Sequence, residues 1–426
     1  MLEKLDSVGG SAALSAGMFW TAPSVQAYER RIPLGDKSLA RELVSDYETA
    51  LQDIRATGIH VDSEPQHGIM TYGVGYSLDI RGLLDYCRAE MIAAGGELVK
   101  DAHVESLCNS DGTVSGAYVR LADGTRAEYE CGAVVLATGG FQGSPDELTR
   151  HIGPNADRLV LRSNGGSVGD GLRLARDAGA GGTKAMSTFY GHLLPQPMDV
   201  FEPEHFLPYS QYYSEHAILV NVRGERFVAE TEGDEILNQA LTFEPEARGI
   251  LIFDHEVRQS YGTSEPFPGL GTVDRFAVAV SAGARHAVAD SIQKLVDKVA
   301  AWGVDRCNLA QTLSGYAEAA AAGGGTVRGV RVAAGARAPV SGPYYALSVQ
   351  PSITFTFGGV RIDDAGHVLD RDGRAVPGLY AGGADIGGLS NYGYAGGLAP
   401  AFITGRWAGL SAAKRVAELT LTRTKG

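Results

Sequence analysis

The segment Gly378-Leu379-Tyr380-Ala381-Gly382-Gly383-Ala384-Asp385 constrains this chain more than any other. An apolar strand runs into glycines, then a loop, then a helix. Such a junction brings backbone amides against a ligand and aims a helix N-terminus at an anion or an electron-rich ring. Alone, it is equally compatible with an ordinary tight turn. Three more segments repeat the pattern. Val8-Gly9-Gly10-Ser11, with Ser15-Ala16-Gly17, lies just after the chain start. Ala137-Thr138-Gly139-Gly140 ends the continuous apolar run 133–137. Ser163-Asn164-Gly165-Gly166 leads to Gly169-Asp170-Gly171, which opens a helix. Glycine supplies 57 of 426 residues, roughly twice the usual share. It is not periodic, which excludes collagen. Four glycine-rich bends at strand or helix ends point to a composite nucleotide site rather than to unrelated turns.

The length predicts two domains or one large α/β body. Hydrophobic residues make up 44% and charged residues 20%, enough for a packed core, which argues against disorder. Net charge is −13 with no basic block, so nucleic acid and anionic membrane are poor partners. Cys87, Cys108, Cys131 and Cys307 show neither CxxC nor metal-ligand spacing. They read as reduced, mostly buried thiols of a cytoplasmic protein, with no metal site. No apolar run reaches the length of a membrane span, and no signal-peptide core follows Met1.

Helical spacing predicts a helix over 41–57, stopped at Gly58, and a second one capped by Asp79 and stopped by Gly95-Gly96. A β-meander follows at 97–107 and 114–121. Residues 133–137 read as a strand buried on both faces, as in a parallel sheet. From 192 to 342 the character changes to Pro-rich loops, a strand pair 217–222 and 226–229, a strand 249–253 and an Ala-rich helix. This stretch is expected to form a separate lid-like domain. Strands return at 354–362 and 376–381, and a final helix spans 400–418.

In order and in wording, these segments resemble the flavoprotein family of fumarate reductases, succinate dehydrogenases, 3-ketosteroid dehydrogenases and tricarballylate dehydrogenase. Glu3-Lys4 before Gly9-Gly10-Ser11 is similar to the family's stretch that binds the adenosine ribose and approaches the flavin. Ala137-Thr138-Gly139-Gly140-Phe141, Gly169-Asp170-Gly171, Leu219-Val220-Asn221 with Arg226-Phe227, Phe357-Gly358-Gly359, and Pro377-Gly378-Leu379-Tyr380-Ala381-Gly382-Gly383 match further family segments. The resemblance implies FAD as cofactor. It implies binding residues Glu3, Gly9, Gly10, Ser11, Ser15, Gly17, Thr138, Gly139, Gly169, Asp170, Gly383, Asp385 and Gly397. The implied fold is an α/β, Rossmann-like FAD-binding domain (1–191 and 343–426) with an inserted α+β capping domain (192–342). The family opens with a strand and a GxGxxG turn, whereas this chain starts at Glu3. The expectation is therefore a domain truncated at its N-terminus.

The family moves hydride between flavin and a substrate carbon next to a carbonyl or carboxylate, making or reducing a C=C bond. Such chemistry needs a proton-handling group and a holder for the developing oxyanion. The final helix, after Gly397, could aim its positive end at the reduced flavin. Fumarate reductases place an arginine shortly after their "RF..E" stretch, and none stands in Thr231-Glu232-Gly233-Asp234 after Arg226-Phe227-Val228-Ala229-Glu230. Their histidine before the closing glycines is replaced by Phe355, and Tyr392-Gly393-Tyr394 stands where another arginine is expected. A dicarboxylate needs those cations, so classical fumarate chemistry is disfavoured. Asn391-Tyr392-Gly393-Tyr394-Ala395-Gly396 is similar to the ketone-holding loop of 3-ketosteroid dehydrogenases. By that match Tyr392 and Gly396 hold the oxygen, with Tyr394 beside them; His192, in Phe189-Tyr190-Gly191-His192, is similar to the family's substrate-side histidine, and Asp234 stands where 3-ketosteroid dehydrogenases carry a tyrosine base. Packing or capping would equally explain each of these residues. The implied substrate is a small molecule, a ketosteroid-like cyclic ketone. A tricarballylate-like organic acid is the alternative, with Arg162 and Arg406 as the nominated cations. A non-catalytic remnant that lacks cofactor is the reading from a different class. Substrate identity, direction and electron acceptor stay open.

Overall fold

The computed structural model describes residues 1–198, 201–265 and 271–423. They divide into two compact units. The first comprises Met1–His151, Ser163–Phe189 and Phe355–Gly426, and the second Ile152–Arg162 and Tyr190–Thr354.

In the first unit, strand Val134–Leu136 lies parallel to Ala375–Ala381, which pairs antiparallel with His367–Leu369 on its other side. Register places Leu379 opposite Val134 and Ala381 opposite Leu136. The carboxyl ends of the two parallel strands are therefore neighbours, and Gly382 N donates to Leu136 O at 3.0 Å. Val135 is 40% exposed, so this strand is not buried on both faces as its apolar run suggests. A meander of His103–Ser110, Thr113–Arg120 and Arg126–Glu130 forms a second sheet, and Met18–Thr21, Gly73–Ser77 and Gln66–Ile69 form a third.

Two long helices complete this unit. Lys37–Ala56 begins at Asp36, whose carboxylate accepts from Ser38 N and Leu39 N. It buries Leu39, Leu43, Tyr47, Leu51 and Ile54 at helical spacing. Leu398–Arg423 is tied to it by Arg406 Nε donating to Asp53 at 2.9 Å and Trp407 Nε1 to Asp46 at 2.7 Å. Arg406, nominated above as an anion anchor, is thus engaged between helices.

In the second unit, Tyr344–Gln350 is the central strand of an antiparallel sheet. Gly249–Asp254 pairs along one side and is flanked by Ile218–Asn221. His286–Ala289 and Leu194–Pro195 share the other side. Alternation sends side chains to two cores. Leu219, Leu251, Phe253 and Leu347 enter one, while Ile218, Val220, Ile250 and Ile252 enter the other with helices Ile292–Ala300 and Arg306–Ala321. This unit, with Tyr344–Gln350 at the sheet's centre, runs to Thr354 and takes in Ile152–Arg162. Residues 226–229 do not form the strand that their composition suggests. Arg226 is instead buried in a two-nitrogen ion pair with Glu230 and donates to the carbonyls of Val330 and Arg331.

The thiols differ from expectation as well. Cys87, Cys131 and Cys307 are exposed and Cys108 is half-buried. Among the described residues no helix is long and apolar enough to cross a membrane, and no cluster of three or more His, Cys, Asp or Glu could hold a metal ion.

Candidate active-site residues and the cofactor cradle

In the first unit the glycine-rich bends come together through specific bonds. Ser11 Oγ meets Ser163 Oγ at 2.5 Å. Thr138 donates from both its amide and its hydroxyl to the Asp385 carboxylate, the hydroxyl at 2.9 Å. Gly171 N donates to Thr138 Oγ1 at 2.9 Å, which joins the helix Asp170–Asp177 to the same knot. Lys4 Nζ donates to Asp170 at 2.7 Å and to Gly166 O at 2.5 Å. Gly383 N is held by Thr404 Oγ1 at 2.9 Å. Gly397 O accepts from Ala401 N at 3.0 Å as the final helix begins.

Other residues of the set have local roles. Glu3 accepts from Leu5 N at 2.9 Å, and its backbone pairs with Val99 and Ala102. Ser15 Oγ accepts from Gly17 N at 3.0 Å. Gly9 precedes the short helix Gly10–Leu14, and Gly169 precedes Asp170–Asp177. Gly139 has φ 81°, the left-handed region that glycine adopts without a Cβ clash.

Asp385 is 3% exposed. Burial pushes its carboxyl up to about 7, against the opposing hydrogen bonds from Thr138 and Gly139, and the Asp170 carboxylate pushes it further up.

The catalytic candidates fall into two groups. In the first unit, Tyr394 is buried among aromatic rings. Phe357 stacks on it at 6.0 Å between centroids, Trp20 meets it edge-on at 5.1 Å, and Phe355 lies at 5.8 Å. Tyr72 donates its hydroxyl to Tyr394 O at 2.6 Å. Tyr392 is 44% exposed and has φ 65°, an uncommon backbone for a bulky residue. Gly396 has φ 104°, and a Cβ there would run into Trp20 O.

In the second unit, His192 and Asp234, 42 residues apart, are hydrogen-bonded through Nδ1 and Oδ2. Ser214 Oγ donates to the other Asp234 oxygen at 2.9 Å. The remaining ring nitrogen of His192 meets Tyr190 Oη at 2.7 Å. His192 is 1% exposed. Burial pushes the imidazole's pKa down, Asp234 partly counters this, and the Arg162 and Arg275 charges add to the downward push. Tyr212 packs edge-on against the same ring, 4.7 Å between centroids.

Arg162 and Arg275 are themselves buried and form no ion pair among the described residues. Arg162 donates to Thr354 Oγ1 at 2.7 Å and to Phe206 O at 2.8 Å, with its guanidinium 3.9 Å from the Phe206 ring centroid. Arg275 donates to Ser264 Oγ at 2.9 Å and lies 5.1 Å from the Tyr212 ring centroid. The sequence reading passed over Tyr190, Tyr212 and Arg275. A lone tyrosine or arginine carries no spacing signal, and only position two residues before His192 sets Tyr190 apart.

The first unit's bends suit a flavin nucleotide. Two of them, Thr138–Gly140 and Gly382–Gly383, lie at the carboxyl ends of the parallel strands Val134–Leu136 and Ala375–Ala381, where α/β sheets bind such ligands. A Cβ at Gly165 would meet nothing within 4 Å, and one at Gly10 only Asn164 Nδ2 at 3.9 Å. The backbone there borders open space. Gln142 is buried, yet its Oε1 lacks a partner among the described residues, leaving an acceptor for a ligand N–H. The residues that would hold the group are Gly9, Gly10, Ser11, Thr138, Gly139, Gly383 and Gly397.

Parallel strand ends knotted by glycine loops are the kind of junction at which α/β sheets bind dinucleotides. The chain belongs to the FAD binding domain family, whose model matches residues 66–398, within the flavoproteins of the fumarate reductase and succinate dehydrogenase type. Fumarate reductase (cytochrome) of Shewanella frigidimarina is 27% identical over 97% of this chain and 72% of its own length. The 4-oxocyclohexanecarboxylate 2-dehydrogenase of Sinomonas cyclohexanicum is 27% identical over 84% of this chain and 66% of its own. The 3-ketosteroid delta1-dehydrogenase of Sterolibacterium denitrificans shares the fold with a TM-score of 0.74 at 17% identity, over 98% of this chain and 94% of that one. The protein is an FAD-dependent oxidoreductase acting on CH–CH groups, which displaces the reading as a cofactor-free remnant.

Proposed function

We propose that the chain makes or reduces a C=C bond beside the carbonyl of a neutral cyclic ketone. The observation that supports this is the wall around Tyr394. Phe357 stacks on it, Trp20 and Phe355 meet it edge-on, and Tyr72 donates to its carbonyl, an apolar cluster of a kind that suits an alicyclic guest. FAD supplies hydride acceptance or donation when bound. Tyr392 and the Gly396 amide are assigned the carbonyl oxygen, Tyr394 supports that loop, and the His192–Asp234 pair is assigned the proton.

A second reading, a substrate that carries a carboxylate, is favoured by one observation. Arg162 and Arg275 are buried cations without a carboxylate partner among the described residues, and such charges are costly unless compensated. The purified flavoprotein should be offered 1,4-androstadiene-3,17-dione, 4-oxocyclohexanecarboxylate and fumarate with an artificial electron donor or acceptor. Turnover of the steroid or the oxocyclohexane supports the ketone, and a preference for the carboxylated ring over its methyl ester supports the acid. Turnover of fumarate alone sinks the ketone reading.

A further inference from the structure

Two arginines of the second unit meet a carboxylate with the same side of the guanidinium. Arg226 donates from Nε to one Glu230 oxygen at 2.8 Å and from Nη2 to the other at 2.5 Å. Arg258 donates from Nε and Nη2 to Asp274 at 3.2 and 2.6 Å. Nε–H and one Nη2–H are parallel in the guanidinium plane, and their spacing matches the two oxygens of a carboxylate. In Arg275 that side is unengaged. Its Nη1 donates to Ser264 Oγ at 2.9 Å, its buried Nε has no partner, and its Nη2 makes no hydrogen bond among the described residues.

The local sequence explains the difference. Asp274 caps the helix Arg275–Ser281 by accepting from Ala277 N through one oxygen, and its other oxygen takes Arg258. The acid next to Arg275 in the chain is therefore already engaged. Arg275 is 1% exposed, and its guanidinium lies over the Tyr212 ring. Stacking uses the face of the guanidinium and leaves its in-plane N–H groups for an acceptor.

We propose that the Nε–Nη2 side of Arg275 binds a ligand carboxylate through two parallel N–H···O bonds, and that the ligand is a monocarboxylate. This deepens the carboxylate reading given above and rests on it.

The single charge follows from the surroundings. The charges that act on His192 are the Asp234 carboxylate and the Arg162 and Arg275 guanidiniums, and the same three act on Tyr212. Burial holds the imidazole itself toward its neutral form. Two positive charges against one negative leave one positive charge in a buried region, where an uncompensated charge is costly. One carboxylate balances it, and a dicarboxylate would leave a negative excess. Arg162 contributes charge rather than a second two-point contact, because its Nη2 already donates to Phe206 O and its Nη1 to Thr354 Oγ1.

The test uses the full chain loaded with FAD and calorimetric titration with two probes. Cyclohexanecarboxylate has no ketone to react, and cyclohexanecarboxamide is its neutral counterpart. The parent should bind the acid about tenfold or more tightly than the amide. Arg275→Met should bring the two probes within about threefold of each other. Arg275→Lys keeps the charge but not the two-point geometry, and should weaken the acid about tenfold. It decides the question if the Met variant does not fold. The acid should also raise the melting temperature of the parent and not that of Arg275→Met.

If both variants bind the acid as the parent does, the assignment to Arg275 falls while the carboxylate reading stands. If the parent binds acid and amide alike, both fall. Fumarate binding more tightly than cyclohexanecarboxylate would overturn the restriction to one charge.

Discussion

Asp385 holds the glycine knot together as a buried acid whose pKa lies near 7. An unfolded aspartate titrates near 4. Between those values the folded chain binds more protons than the unfolded one, so this residue's contribution is full below about pH 4 and is lost as pH rises through 7. Asp385→Asn should flatten that part of the stability–pH curve, read from urea midpoints at several pH values. His192 has the opposite sign. Its pKa is depressed by burial, so its contribution is present above the unfolded value near 6.5 and fades as pH falls below it. Tyr392→Phe tests the oxygen holder. If the phenol polarises a ketone, turnover drops by about 100-fold with flavin retained, and unchanged turnover removes Tyr392 from that role. The pairing of His192 with Asp234 could not be derived from spacing, because the contact depends on how residues 42 apart fold together. Each residue was nonetheless marked separately by its place in a family-like segment.

Among the elements, those with a full helical period were legible. Residues 41–57 lie within Lys37–Ala56, and the final helix was placed to within a few residues at its start. The meander at His103–Ser110 and Thr113–Arg120 was legible from its Asp-Gly turn. The missing strand at 226–229 was not, because alternation cannot reveal that Arg226 will turn inward to Glu230. Leu51, fully buried on Lys37–Ala56, should cost about 2 to 5 kcal/mol on truncation to Ala, measured by chemical denaturation. Gly396→Ala asks the turn before the final helix to accept a Cβ at φ 104° against Trp20 O. The expected loss is about 1 to 3 kcal/mol, and a parent-like unfolding midpoint would refute the strain.

For the whole molecule, the four glycine bends carried most of the functional information, since a ligand shared among them would make their backbone geometry useful. Saturating FAD at about 100 times its Kd should add about 2.7 kcal/mol, seen as a higher melting temperature for the transition that includes the first unit. No shift on adding FAD would count against the cradle.

The four thiols are divided unevenly. Cys87, Cys108 and Cys131 lie in the first unit and Cys307 in the second, near the start of helix Arg306–Ala321. A triple serine replacement would therefore leave a solitary sulfhydryl remote in sequence from every flavin loop. A maleimide dye attached there would give each half of the molecule its own optical channel, the dye for one and the yellow cofactor for the other.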